Sequence, residues 1–226
     1  MKHLILAGDS IFDNGVYVPG KPDVANQLES IIESNDKVTL LAVDGDITTG
    51  VASQLKQLPD DATHLFISVG GNDALQILHR LQNQVDSVGE GFLEFHSIKN
   101  DFQRKYRRML EITLSFGLPT TLCTIYNPCF NHNELARVSD YLGYGINNEI
   151  LQKIATTALP IFNDIISKEA VKTGIPLIDL RLIFDDVADY ANPIEPSDIG
   201  GMKMAMIIKE IAYEHDFSIN RTKVYT

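Results

Sequence analysis

The sequence predicts a three-layer α/β/α sandwich around a parallel sheet. Five short apolar runs, rich in β-branched residues and bounded by Gly, Asp, Asn or Pro, have the near-continuous hydrophobicity of strands buried on both faces. Longer stretches with helical periodicity separate these runs. The alternation favours right-handed crossovers between parallel strands. Because the chain contains no repeat, low-complexity tract or linker, we expect residues 1–226 to form a single domain.

The predicted elements alternate from the first strand to the last helix. The strands cover residues 3–7, 38–43, 63–69, 119–126 and 176–180. The helices cover residues 23–34, 48–58, 97–117, 146–174 and 198–215. Pro160 lies within the fourth helix, where a proline is expected to kink or break it. The glycine-bearing segment 83–97 is less regular, which predicts an insertion beside the sheet.

Charge and composition exclude several classes of protein. The net charge is −11 and the 19 Lys and Arg are scattered, which argues against binding to nucleic acid or to an anionic membrane surface. No apolar run approaches the about 20 residues that span a bilayer. The first apolar run is too short for a signal peptide, so we expect a cytoplasmic protein. Neither Cys nor His occurs at zinc-ligand spacing, and we expect no metal or cofactor; a site formed by Asp44, Asp46 and Asp73 is the weaker alternative.

The first loop of the predicted sheet carries a candidate nucleophile. In an open parallel sheet, ligands bind outside the carboxyl ends of the strands. The stretch GDSIFDNG, residues 8–15, directly follows the first predicted strand and places Ser10 at such an end. Taken alone, the tripeptide Gly-Asp-Ser also fits an ordinary turn or a helix N-cap.

The next two loops supply candidate hydrogen-bond donors. DGDITTG follows the second strand, and we expect the N–H of Gly45 in it to face Ser10 across the sheet edge. GGND follows the third strand and provides Asn72, whose side-chain amide is a donor. A hydroxyl group with a backbone N–H and an amide converging on one point is typical of an oxyanion hole for acyl transfer.

Together these three stretches resemble the blocks of the SGNH/GDSL hydrolase superfamily of esterases and lipases, named for Ser, Gly, Asn and His. GDSIFDNG is similar to the first block, with Ile11 where Leu is usual. The resemblance implies a flavodoxin-like sheet of about five strands and a Ser10 nucleophile. It also implies that Gly45, Asn72 and the N–H of Ser10 hold the oxyanion. The expected reaction is hydrolysis of a small acyl or acetyl ester, without a cofactor.

The fourth block departs from the family pattern. The family has Asp-x-x-His-Pro before its last helix, where His is the general base. Here the corresponding residues 192–196 read Asn-Pro-Ile-Glu-Pro, so Glu195 occupies the His position and Asn192 the Asp position. A carboxylate is about two pKa units less basic than imidazole, but burial can raise its pKa. We expect Asn192 to donate a hydrogen bond to the Glu195 carboxylate and so to orient it.

Two alternatives to a Glu195 base stay open at this point. His132 follows the fourth predicted strand at the correct edge of the sheet and is the remaining histidine with a suitable position. Alternatively, the chain is a catalytically weakened hydrolase that acts as a binding module for a small ligand. An oxyanion hole without a complete triad still retains about 10³–10⁴ of rate over water.

Overall fold

The computed structural model describes residues 1–130 and 147–226, and a parallel six-stranded sheet forms its centre. The strands are β1 (His3–Gly8), β2 (Lys37–Leu40), β3 (His64–Ser68), β4 (Thr120–Cys123), β5 (Leu177–Ile178) and β8 (Val224–Tyr225). Their spatial order is β2-β1-β3-β4-β5-β8, and every neighbouring pair is parallel. The predicted α/β/α sandwich is confirmed, with one more strand than the five that the apolar runs indicated.

Helices cover both faces of this sheet. They are α1 (Val24–Ile31), α2 (Val51–Gln54), α3 (Gly71–Leu75), α4 (Val88–Leu114), α5 (Asn148–Thr173), α6 (Leu180–Ile183) and α7 (Asp198–Glu214). Short 3-10 turns lie at Gly15–Tyr17, Leu55–Gln57, Leu78–Gln82 and Val187–Asp189. One apolar cluster packs α1 and α7 against the sheet, and a second packs α4 and α5 against its other face. The described helices include none that is long and apolar enough to cross a membrane.

The structure differs from two local expectations, an insertion at residues 83–97 and a helix break at Pro160. Most of the expected insertion at 83–97 belongs to α4, which begins at Val88 because the Ser87 side chain accepts the backbone N–H of Glu90 and caps it. The helix α5 continues through Pro160 and ends at Gly174, which has a φ of 69°. Pro160 is exposed, so water can solvate the carbonyl group that loses its helical partner.

A small antiparallel hairpin lies outside the main sheet. It pairs β6 (Tyr190–Asn192) with β7 (Glu195–Pro196), and α7 follows directly. The helix start is fixed by Ser197, whose hydroxyl oxygen accepts the N–H groups of Ile199 and Gly200. The hairpin therefore carries Glu195 at the start of a well-capped helix.

Candidate active site

Ser10 follows a tight backbone corner at Gly8, a position that only glycine can occupy. Gly8 has a φ of +139°, and a Cβ atom built there would lie 1.8 Å from the Ser68 carbonyl oxygen. The buried Gln54 side chain accepts the Gly8 N–H at 2.8 Å and donates to the Gly8 carbonyl at 2.7 Å. Asp9 donates its N–H to Ser68 at 3.1 Å. These contacts fix the corner, and Ser10 is buried, with 5% of its surface exposed.

Glu195 is the carboxyl group beside Ser10. Ser10 and Glu195 line the same cavity, and the Ser10 side chain lies close enough to the Glu195 carboxyl group, which is 6% exposed, to lower its pKa. Burial raises the pKa of Glu195 to about 7, the negative charge of Asp44 adds to this rise, and the Ser10 side chain opposes it. The Oε2 atom of Glu195 is buried and has no hydrogen-bond partner within the described residues. The site therefore contains a carboxyl group with the basicity of a histidine.

Asn192 contacts the backbone of Glu195, whereas the expected contact was with its carboxylate. Its Oδ1 atom accepts the backbone N–H groups of Ile194 at 3.0 Å and Glu195 at 3.1 Å. The predicted contact was a hydrogen bond donated by the Asn192 amide to the carboxylate, and no such contact is found among the residues described. Because the side chain is short, it closes the hairpin turn on its own strand. Asn192 thus fixes the backbone of Glu195 instead of its carboxylate.

Two buried residues that the sequence did not single out fix this hairpin to the rest of the site. Asn14 is fully buried; its Nδ2 donates to the Pro196 carbonyl at 3.1 Å, and its Oδ1 accepts the Val24 N–H at 3.0 Å. The Tyr126 hydroxyl donates to the Ile194 carbonyl at 2.5 Å. Asn14 belongs to the same stretch as Ser10, so one loop carries the hydroxyl group and also positions the segment with its acceptor.

The two predicted oxyanion residues occupy different positions. Asn72 lines the same cavity as Ser10 and Glu195, and its Nδ2 donates to the Asp46 carbonyl at 2.9 Å, which leaves one amide hydrogen for a ligand. Gly45, with a φ of +79°, belongs to the exposed loop beside this contact. It is not among the described residues that line the cavity.

Two further carboxyl groups are buried beside the corner. The pKa of Asp9 is raised well above its usual range, mainly by burial, with the charges of Glu195 and Asp73 adding to the effect. The Ile11 N–H opposes this rise by donating to Asp9. Burial also raises the pKa of Asp73, whose carboxylate accepts the N–H and hydroxyl of Thr48, both at 2.8 Å. Glu195 is thus one of three neighbouring acidic groups.

The structure bears differently on two alternatives from the sequence, a metal site at Asp44, Asp46 and Asp73 and a histidine base at residue 132. In the part of the chain that the structure describes, no group of three or more His, Cys, Asp or Glu side chains could hold a metal ion. Asp46 instead accepts the Gln54 amide at 2.7 Å, and Asp44 accepts the Tyr17 hydroxyl. His132 lies outside the described residues. No histidine is found among the described residues that line the cavity.

A cavity of about 100 Å³ opens beside Ser10. Its polar lining comes from residues at the carboxyl ends of β1, β3 and β4 and from the hairpin: Asp9, Ser10, Ser68, Asn72, Thr124 and Glu195. Its remaining walls are largely apolar and come from α3, from the loop after β4 and from α5. The arrangement brings a hydroxyl group, a basic carboxyl group and an amide donor to one end of an apolar space.

Comparison with solved structures gives the class of fold. The chain is similar to the lipase Lip_vut3 from a goat rumen metagenome, with a TM-score of 0.67, 19% identity, and coverage of 96% of this chain and 100% of that one. It is similar to an extracellular lipase from Streptomyces rimosus, with a TM-score of 0.63, 14% identity, and coverage of 92% and 98%. An acetyl xylan esterase, AlAXEase, has a TM-score of 0.57 at 15% identity, with coverage of 94% and 100%. No family model and no curated protein matches the chain by sequence.

The chain therefore has the three-layer α/β/α architecture of ester-hydrolysing enzymes. More particularly, its fold is that of the SGNH/GDSL hydrolases, because two of its structural neighbours are described as GDSL-like lipases. The likeness covers nearly the whole length of both chains. The fold expected from the resemblance is confirmed, and the roles of Ser10, Gly45, Asn72, Asn192 and Glu195 stay predictions.

Proposed function

We propose that this protein is a serine ester hydrolase that acts on a small acyl ester, with Ser10 as the nucleophile and Glu195 as the general base. The observation that carries the proposal is that Ser10 and Glu195 line one cavity at the sheet edge, with the Ser10 side chain beside a buried carboxyl group whose pKa is about 7. A general base works best when its pKa lies near the working pH, and this value is close to the imidazole reference of about 6.5.

The proton transfer suits a buried site. When Ser10 attacks the ester carbonyl, its proton passes to the Glu195 carboxylate, which becomes a neutral acid as the oxyanion forms. One negative charge moves within the site, and no new charge is created. An imidazole base in the same place would become a cation beside the oxyanion and would need a carboxylate behind it. A single carboxylate thus replaces the His-Asp pair, and Asn192 needs to fix only the turn.

The oxyanion is assigned to three donors. The N–H of Ser10 is one and the free amide hydrogen of Asn72 is the second. The N–H of Gly45, in the loop beside the Asn72 contact but outside the cavity lining, is proposed as the third. Asn72 lines the cavity directly. Each such donor is worth about 10²–10³ in kcat. Protonated Glu195 then returns its proton to the leaving alkoxide, and water deacylates Ser10 by the reverse sequence with Glu195 again as base.

The test is turnover of p-nitrophenyl butanoate at pH 8. Ser10→Ala is expected to lower kcat/KM at least about 10³-fold, because the covalent step is lost. Ser53→Ala is the matched control, since Ser53 is an exposed serine on α2 that does not line the cavity. Turnover of the Ser10→Ala variant equal to that of the wild type would overturn the proposal.

The second candidate is a weakened hydrolase that binds a small ligand in the same cavity. The observation that favours it is the position of Gly45, outside the cavity lining, which leaves the oxyanion site with fewer directed donors. In that case both the wild type and Ser10→Ala would bind esters with equal affinity, and both would hydrolyse them at the same slow rate.

A further inference from the structure

The cavity beside Ser10 leads from the sheet edge to the helix α5. Five residues of α5 form its far wall, at the i, i+1, i+4, i+5, i+8 spacing of one helix face: Ile154, Ala155, Ala158, Leu159 and Phe162. Leu75, Ile77 and Leu78 line the side formed by α3 and the turn after it. Beyond the polar groups at the strand ends, the lining is therefore mainly hydrocarbon. Such a wall offers an acyl chain dispersion contacts and burial but no hydrogen bonds.

The volume sets the size of chain that fits. An engineered apolar cavity of about 150 Å³ in another protein accommodates benzene, which has six carbons. The cavity here is about 100 Å³. The ratio gives room for about four carbons beyond the ester carbonyl carbon, which would lie at the Ser10 hydroxyl, so acyl chains of about four to six carbons fit. An acetyl group would leave most of this volume empty.

We propose that this cavity is an acyl-chain site that selects chains of about four to six carbons over acetyl, and that Ala158 on α5 limits its depth. The proposal rests on the proposed function, since it assigns the acyl part of the ester to a wall beside the nucleophile. Ala158 is half-buried and faces the cavity, so a larger side chain there would project into the space. Ala155, in contrast, packs against the apolar cluster of Leu78, Phe130 and Leu151.

The first test is a chain-length series of p-nitrophenyl esters: acetate, butanoate, hexanoate and dodecanoate. Each buried methylene is expected to raise kcat/KM about fourfold until the cavity is full, so butanoate should exceed acetate about 15-fold. Dodecanoate should fall below hexanoate because its chain cannot enter. A series that peaks at acetate, or that still rises at dodecanoate, would overturn the inference.

The second test narrows the cavity. Ala158→Leu adds three carbons to the wall and is expected to lower the hexanoate-to-acetate ratio of kcat/KM at least about tenfold. Thr157→Leu is the matched control, because Thr157 is its neighbour on α5 but is exposed and does not line the cavity. Its ratio should equal that of the wild type. Equal ratios in both variants, with both proteins folded by circular dichroism, would contradict the assignment of Ala158.

A binding measurement separates this inference from the proposed function. The Ser10→Ala protein is titrated with 2-hexanone, a neutral ketone of matching length, by isothermal titration calorimetry. Binding that weakens at least about tenfold on adding Ala158→Leu supports the cavity assignment without any turnover. If 2-hexanone does not bind while Ser10-dependent acetate hydrolysis is observed, the acyl-chain site is wrong and the hydrolase stands. If it binds but no ester is hydrolysed, the hydrolase is wrong and the chain site stands.

Discussion

Glu195→Gln is expected to make the protein more stable at alkaline pH and inactive as an esterase. The Glu195 carboxyl group is buried, and burial raises its pKa from 4.5 to about 7. Its Oε2 atom has no hydrogen-bond partner among the described residues, so the charged form loses its hydration without gaining a hydrogen bond at Oε2. Glutamine has the same shape and cannot ionise.

The magnitude follows from the pKa shift. A carboxyl group whose pKa is raised on folding contributes its full stability below the unfolded pKa, and that contribution is lost as pH rises through the folded pKa. For Glu195 the window therefore runs from about pH 4.5 to about pH 7. A shift from 4.5 to about 7, at about 1.4 kcal/mol per pKa unit, corresponds to an upper limit of about 3.5 kcal/mol.

The assay is urea unfolding of the wild type and the Glu195→Gln variant at pH 5 and at pH 8. The free energy of unfolding of the wild type, relative to the variant, should fall by about 2.5 kcal/mol between these two pH values, because part of the contribution is already lost at pH 5. The p-nitrophenyl butanoate activity of the variant should be lost at both. Identical pH dependence in the two proteins would show that Glu195 is not a strained buried acid, and full activity in the variant would exclude Glu195 as the base.

Two other substitutions test how the hairpin is held. Asn14→Ala removes the hydrogen bond to the Pro196 carbonyl. It is expected to lower kcat/KM of butanoate hydrolysis at least about tenfold and to lower the free energy of unfolding in urea by about 1–3 kcal/mol. Asn26→Ala, on the exposed face of α1, is the control and should change kcat/KM little. Asn192→Asp keeps an acceptor for the turn but adds a negative charge on the cross-strand partner of Glu195. The midpoint of the kcat/KM–pH profile should therefore rise by about one pH unit. An unmoved midpoint would contradict Glu195 as the titrating base.

Elements that depend on local pattern were predictable, and elements that depend on distant contacts were not. The composition of the long buried runs predicts β1 and β3. In contrast, β8 has only two residues, Val224–Tyr225, and forms by pairing with the edge of β5. Pro160 predicted a kink or a break by a local rule, but α5 is continuous through it, and its exposed position lets water solvate the carbonyl group left without a helical partner. The start of α4 depends on the Ser87 cap, a single-residue signal that is easily missed.

The site follows the same division. Ser10 and Asn72 follow buried strands, and the parallel topology alone brings them to one edge of the sheet. The hydrogen bond from Asn14 to Pro196 joins residues 182 positions apart, and no periodicity in the sequence encodes such a pairing. The predicted contact between Asn192 and the Glu195 carboxylate was not found among the described residues, because a short amide side chain can bind either a neighbouring carboxylate or its own backbone. Local hydrogen bonding of this kind is the more common choice for Asn in a turn.

The replacement of histidine by glutamate and the apolar cavity are physically connected. A carboxylate is a useful base near neutral pH only when it is desolvated, and Glu195 is desolvated in part because it lines the same cavity that Ile194 and the α5 wall enclose. If the cavity is the acyl-chain site that we propose, a chain that enters it would shield Glu195 further from solvent and disfavour its charged form more strongly. A bound chain would then raise the basicity of Glu195 towards Ser10, and a longer chain would do so more than acetyl. Chain-length selectivity would then be expressed in kcat as well as in KM, because the chain that fills the cavity also strengthens the base.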